Sequence, residues 1–496
     1  MAREIEKSKE KSRKIILCHG VFDLLHIGHI KYFQEAKTFG DLLIVTVTPD
    51  EFVRKGPGRP VFNSEQRAEA IAALEVVDYV AINKWPIAVK TIELLQPDYY
   101  VKGPDYKNQT NDVTGNIKLE EKAVEKNGGE IKFTSDITFS STQLINQNIA
   151  IYSSEQKSFI DKLKKKYSVA DVIKYFDKMK SKKLLLVGEI ILDEYVSCNT
   201  LGKAGKDPML TLQKLKSEIF PGGVLAVANH LAEFCKSINV MGYLGQDGGY
   251  EDYINESLKK NIVFEYLKKV NSPTILKRRY LDSEKKSKII GVYDINDDII
   301  NEKEEKLLSK MLLAEIADSD AVIVADYGHG LMTTKIIDLL IKNSKYLCVN
   351  TQLNSANIGF HTISKYHKVN YVCMHEGELR HDFRSKTRDV KELTTDLYDR
   401  VNADLVTVTQ GARGALCYDK NEGFETCPAF ASKVLDKVGA GDTLFAFTSL
   451  CFLVGMPHDL TLLLGNIAAA ETVSSIGNSK SLENMALLKT VETLFK

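Results

Sequence analysis

The chain has 496 residues, enough for more than one domain with a sizeable core in each. Lys plus Arg and Asp plus Glu both number 66, so the formal charge is zero, which argues against a general nucleic-acid or membrane-surface binder. The eight cysteines are scattered with no C-x-x-C pair, indicating neither a zinc cluster nor a disulfide framework, and no apolar run is long enough to span a bilayer.

Residues 1–13 alternate basic and acidic side chains, lack the apolar core of a signal peptide and read as a solvated tail. A cytoplasmic location is the expectation. From residue 14 to 150 strand-like and helix-like runs alternate. Ile15-Ile16-Leu17 reads as a short buried strand, and Gly20 lets the chain turn just after it. His26 and His29 flank Ile27-Gly28 ahead of a helical segment, Ile30–Phe39. Two imidazoles beside a helix start suit phosphate oxygens, because free N–H groups and the helix dipole favour negative charge there. Gly28 removes a side chain where a phosphate must come close. Leu42–Thr48 is a continuous β-rich run, Ser64–Leu74 a helix with Ser64 as N-cap, and Asp78–Ile82, Asp98–Val101 and Glu130–Phe133 further strands. The rhythm predicts a doubly wound parallel sheet with ligands at the carboxyl ends of its strands. Lys55, Arg67 and Lys102 are candidate cationic clamps, and Ser140, Ser141 and Thr142 can offer donors at the start of a final helix. Arg67 can equally be a solvated helix charge, and Ser140–Thr142 a plain cap.

The string GVFDLLHIGH resembles the G-x-F-D-x-x-H-x-G-H signature of nucleotidyltransferases that join a nucleoside triphosphate to a small phosphate ester. Arg59-Pro60-Val61, Glu65-Gln66-Arg67, Tyr100-Val101-Lys102-Gly103 and Phe139-Ser140-Ser141-Thr142 extend the resemblance over residues 14–148. The spacing is most similar to the adenylyltransferase half of the bifunctional heptose-7-phosphate kinase/heptose-1-phosphate adenylyltransferases. Glycerol-3-phosphate cytidylyltransferase is a more distant match. The resemblance implies a Rossmann-like domain in which His26, His29 and Lys102 act in catalysis and Gly20, Phe22, Gly28, Arg67, Ser140, Ser141 and Thr142 hold the nucleotide. A sugar 1-phosphate is already anionic, so the reaction needs charge dispersal and in-line positioning rather than a general base. Mg²⁺ is expected to arrive with the triphosphate.

Residues 151–182 read as an amphipathic helical connector. Phe159, Ile160, Leu163 and Tyr167, then Val172, Ile173, Phe176 and Met179, share faces, and lysines cover the rest. A second αβ alternation runs from Lys183 to residue 496. Its decisive stretch is DKVGAGDT, Asp436–Thr443, ahead of the apolar helix Leu444–Val454. Gly439, Ala440 and Gly441 can turn backbone N–H groups toward one anion, and Asp442 is placed to take a proton from a sugar hydroxyl attacking the γ-phosphate of ATP. A glycine-rich helix start with Asp442 as a cap is the plain alternative.

With Pro221-Gly222-Gly223 and Asn229, Gly242-x-x-Gly245-x-Asp247 and Thr409-x-Gly411-x-x-Gly414, this region resembles the ribokinase family of carbohydrate kinases. The resemblance implies that Asp193, Gly222, Gly223 and Asn229 line the sugar site. Thr409 and Gly411 then approach the nucleotide, Glu378 organises Mg²⁺, and segments 190–213 and 273–294 form a small β lid, with a homodimer through that lid. Lys277-Arg278-Arg279 reads either as a grip on a distal sugar phosphate or as a solvated lid face. Glu189, Asn350-Thr351-Gln352 and His375 depart from the family pattern.

The expected architecture is therefore α/β throughout, two doubly wound domains in the reverse of the resembled order. The expected function is ATP-dependent phosphorylation of a heptose 7-phosphate-like sugar plus nucleotidyl transfer from ATP to a sugar 1-phosphate. The expected partners are small molecules, with neither nucleic acid nor membrane. A cytidylyltransferase for a polyol phosphate, and a transferase fused to a silent kinase-like sensor or dimerisation module, remain open at this stage.

Overall fold

The computed structural model describes residues 11–106, 115–135, 151–246 and 248–496. Two compact units result. The first is Met1–Ile160 together with Met485–Lys496, and the second is Asp161–Asn484. The connector thus divides inside its first helix, Ser154–Lys164, and the last twelve residues group with the first unit.

In the first unit, β1 (Ile15–Gly20), β2 (Leu42–Val47), β3 (Tyr79–Ile82), β4 (Tyr99–Lys102) and β5 (Glu130–Phe133) form a sheet of order β3-β2-β1-β4-β5. Every described pairing in it is parallel. β1 and β2 are apolar without alternation because both faces are covered. Ile15, Leu17 and Ile44 join one core cluster, while Ile16, Cys18 and Val45 join another. The first helix, Ile27–Lys37, begins three residues earlier than its apolar pattern suggests. The helix Ser64–Ala72 is capped by Asn63 rather than by Ser64, in a reciprocal box with Gln66.

In the second unit the strands are β6 (Lys183–Gly188), β7 (Ile190–Lys203), β8 (Leu210–Gly223), β9 (Ser237–Gly245), β10 (Ile262–Lys269), β11 (Ile275–Asp282), β12 (Lys288–Asp294), β13 (Ala321–Asp326), β14 (Leu347–Thr351), β15 (Val369–His375), β16 (Ala403–Thr409), β17 (Ala415–Asp419) and β18 (Gly423–Cys427). Among the described residues nine of them build one sheet, β10-β9-β6-β13-β14-β15-β16-β17-β18. It is parallel from β10 to β16 and antiparallel at the β17–β18 edge. The remaining four form a separate sheet, β12-β11-β7-β8, where the lid was expected. The helix Ala440–Leu453 is buried almost all round, so no solvent-facing stripe interrupts its apolar sequence. Phe176 of the connector's second helix packs against Phe234 and Phe447. All eight cysteines are buried.

Candidate functional sites

In the first unit the strand order reverses between β1 and β4, the place where open parallel sheets hold ligands. The chain leaves β1 through Gly20, where a Cβ would stand 2.9 Å from the Phe22 ring. Phe22 itself has φ 49° and lays its ring edge-on to His29, 5.3 Å between centroids. Its contact is therefore with a catalytic candidate. His26 is the N-cap of the first helix, its Nδ1 accepting the Gly28 N–H at 3.1 Å. That bond puts the ring proton on Nε2, which makes Nε2 the donor of the capping ring. The His26 and His29 rings stack 4.0 Å apart. Both stay neutral. Burial lowers His26, and burial followed by the charges of His26 and Lys55 lowers His29 to about 3. Lys55 is brought to this site, and burial lowers it to about 8.

Asp23, which sequence reasoning passed over, ties down the loop that carries Lys55. It pairs with Arg59 at 3.0 Å, both side chains fully buried, and accepts the Val61 N–H at 2.6 Å. The signal was present in the D of the GVFD string. Arg67 is not a free clamp. Its buried guanidinium is spent on the carbonyls of Phe62, Val21 and Thr48 and on Asp50, so it braces the walls of the site. Lys102 ends β4, 7% exposed, and pairs with Glu120 at 3.1 Å. Ser140, Ser141 and Thr142 lie outside the described residues.

In the second unit Asp442 occupies the first turn of helix Ala440–Leu453, 7% exposed. Its Oδ1 accepts from the Tyr327 hydroxyl at 3.0 Å and from Gln352 Nε2. Burial first, with the Asp193 charge adding, raises it to about 6. Gly439 precedes the helix at φ 85°, and Asn478 Oδ1 fills the place of its missing Cβ. Nothing stands within 4 Å of where a Gly441 Cβ would be, which leaves the helix start open to an anion. Asp193 is buried and paired with Arg279. Its Oδ2 would meet a Gly222 Cβ at 2.3 Å, and Gly223 turns at φ 56°. Asp193, Gly222 and Gly223 thus come together as expected.

Asn229 does not join them. Its amide donates to the Ser257 carbonyl at 3.1 Å and accepts the Lys259 N–H at 3.2 Å, a structural role that its spacing from Gly223 could not disclose. The lid triplet splits by strand alternation. Lys277 and Arg279 turn inward, Lys277 lying 5.7 Å over the Tyr327 ring, while Arg278 pairs outward with Glu194 at 2.6 Å. Thr409 ends β16 opposite His375, and Gly411 follows at φ 60°.

The family departures have local explanations. Glu189 is fully buried and accepts the N–H groups of Tyr327, His329 and Leu331, so its extra methylene anchors the turn that presents Tyr327. His375 caps its helix by accepting the Gly377 N–H at 3.0 Å, and Asn350 donates to the Cys373 carbonyl. Glu378 gives both oxygens to backbone N–H groups, of Leu353 and His375. It is a helix cap before it is anything else. Burial raises it to about 7, and the Asp442 charge adds to that.

Residues 17–178 match the cytidylyltransferase-like family, and residues 181–485 the pfkB family of carbohydrate kinases. Bifunctional protein HldE of Geotalea uraniireducens (strain Rf4) is 38% identical over 151 residues, 30% of this chain and 29% of that protein. Bifunctional protein HldE of Hydrogenovibrio crunogenus (strain DSM 25203 / XCL-2) is 26% identical over 303 residues, 60% of each chain. Each match spans less than two thirds of the relative's own length. Phosphofructokinase-2 from Escherichia coli in complex with fructose-6-phosphate superposes with a TM-score of 0.52 at 16% identity, over 64% of this chain and 100% of that one, which establishes the fold of the second unit. The transferase-first order read from the motifs is the order of the two family matches, and the chain belongs to the pfkB family of carbohydrate kinases, with a cytidylyltransferase-like domain ahead of the kinase.

Proposed function

We propose that the chain performs two separate phosphorus transfers in nucleotide-sugar synthesis. The first unit joins AMP from ATP to a sugar 1-phosphate and releases pyrophosphate. The second transfers the γ-phosphoryl group of ATP to the anomeric hydroxyl of a phosphosugar of the heptose 7-phosphate kind. The observation that carries this reading is the contrast between two helix starts. One presents stacked neutral imidazoles, the other a buried carboxylate. A sugar phosphate needs donors that disperse charge, whereas a sugar hydroxyl needs its proton removed.

In the first unit, His26 and His29 donate to the phosphates, and Lys102 and Lys55 supply positive charge. In the second, Asp442 takes the hydroxyl proton, the N–H groups after Gly439 hold the transferring phosphates, and Asp193 orients the sugar. Lys277 and Arg279, inward on β11, support a substrate that is already phosphorylated. Mg²⁺ bound with ATP would spread the charge of the transferring group. The donor set fits such an ion, since Asp442 and Glu378 are two carboxylates close enough for the Asp442 charge to raise the proton affinity of Glu378. With Glu378 already holding two N–H groups, Asp442 offers the freer oxygen. His375 already caps its helix through Nδ1, as Asn would, which favours an active kinase over a silent module. Exposed Leu201, Met209, Leu210 and Ile290 on the lid support a homodimer through that sheet. The test is a panel of sugar phosphates with ATP or CTP, scored separately for ADP and for pyrophosphate. ADP with a 7-phosphate and pyrophosphate with a 1-phosphate and ATP support the reading. Pyrophosphate only with CTP and a polyol phosphate replaces it.

A further inference from the structure

Glu120 sits where a carboxylate is expensive. The helix Asn116–Lys126 buries Ile117, Glu120, Ala123 and Val124, so an acid interrupts its apolar stripe, 4% exposed. Its oxygens are saturated. Oε1 accepts the Ala88 N–H at 3.1 Å, and Oε2 accepts the Tyr100 hydroxyl at 2.9 Å and Lys102 Nζ at 3.1 Å. An apolar residue there would fill the helix face at less cost, because buried ion pairs seldom repay their desolvation. What Glu120 adds is the location of one charge. Lys102 Nζ also donates to the His19 carbonyl at 3.4 Å, next to Gly20, where the chain leaves β1 for the histidine turn. The rings of Tyr100 and Tyr106 lie 5.0 and 5.2 Å from the ammonium.

We propose that Glu120 is a positioning residue for nucleotidyl transfer, holding the Lys102 ammonium charged and fixed at the carboxyl ends of β1 and β4. The proposal rests on the transferase reading above. In that reaction a sugar-phosphate oxygen forms a bond to the α-phosphorus while the bond to the β-phosphate oxygen breaks, its electron pair leaving with pyrophosphate. No proton need move, so a fixed cation is the help this step can use. Among the described residues, five titratable groups face Lys102. They are Glu120 on its helix, His19 and Cys18 on β1, Tyr100 on the same strand and Tyr106 beyond it. Burial keeps His19 neutral, near 4, and Cys18 a thiol, near 12, and places Tyr100 well above its usual range. Glu120 is the carboxylate among them. Without it, burial would drive Lys102 to shed its proton.

The test uses the full chain as wild type, Glu120→Gln and Glu120→Asp. Pyrophosphate release from ATP and sugar 1-phosphates is followed against pH, thermal melting of the full chain by circular dichroism serves as the folding control, and the acetylation of Lys102 by acetic anhydride is followed against pH by peptide mass spectrometry. In Glu120→Gln the alkaline limb of pyrophosphate release and the Lys102 reactivity midpoint both move down by about one pH unit or more, with KM for ATP little changed. Glu120→Asp, which keeps the charge, restores much of both. Unmoved limb and midpoint in Glu120→Gln overturn the proposal. So does a moved midpoint with an unmoved limb, which makes the pair structural. If wild type releases no pyrophosphate with any sugar phosphate while the midpoint still moves, it is the transferase reading that fails, and the role in transfer falls with it.

Discussion

Asp442 must be ionised to take a proton, and its burial raises it to about 6. A base is lost as pH falls through its pKa, so ADP formation at saturating substrate should drop about tenfold per pH unit below about pH 6. A kcat profile flat down to about pH 4.5 would remove Asp442 from that role. This residue was legible because GAGD places an acid one position beyond an anion turn, and local spacing alone decides that geometry. Asn229, Arg67 and Glu378 were legible as polar residues but not as structural ones. Each gives its polar atoms to backbone groups distant in sequence or one turn away, partners that no motif names. Glu120 gave no signal at all, since an acid on a lysine-rich helix reads as solvated until the strand beside it is known.

The helix Ile27–Lys37 depends on His26 for its start, a residue type that cap statistics do not favour, which is why its first turn was read three residues late. Replacing His26 with Ala removes both the cap and a phosphate donor. Replacing it with Asn keeps an acceptor for the Gly28 N–H. His26→Ala should therefore lower the melting point of the first unit by about 2–4 °C, for a cap of about 1 kcal/mol, while His26→Asn leaves it near wild type. Pyrophosphate release should fall in both. Calorimetry beside the pyrophosphate assay separates the two effects, and full activity in His26→Asn would reduce His26 to a cap. Strands were the most legible elements, because runs such as Leu42–Val47 are β-rich and apolar on both faces. Their pairing order was not written in them. That β1 stands beside β4, bringing Lys102 to the histidine turn, follows from packing over the whole sheet.

At the scale of the molecule, the two families and their order were legible in the motifs, but the grouping of the last helix was not. Met485–Lys496 belongs with the first unit, where Leu487, Leu488, Val491 and Leu494 are buried and Thr490 stands 2.8 Å from where a Gly56 Cβ would be. Gly56 adjoins Lys55, so this helix backs the loop of the transferase site. Burying each such side chain is worth about 1.5–3 kcal/mol. Deleting residues 485–496 should therefore make pyrophosphate release heat-labile while ADP formation persists. Equal heat stability of both activities in the truncated chain would contradict that. The central claim is that one chain holds two independent phosphorus-transfer sites of different chemistry, and paired rates on His29→Ala and Asp442→Asn test it most directly. His29→Ala should lose on the order of 10²–10³ in pyrophosphate release and keep ADP formation. Asp442→Asn should lose on the order of 10²–10⁴ in ADP formation and keep pyrophosphate release. Loss of both products in either variant, with the fold intact by circular dichroism, would contradict the account.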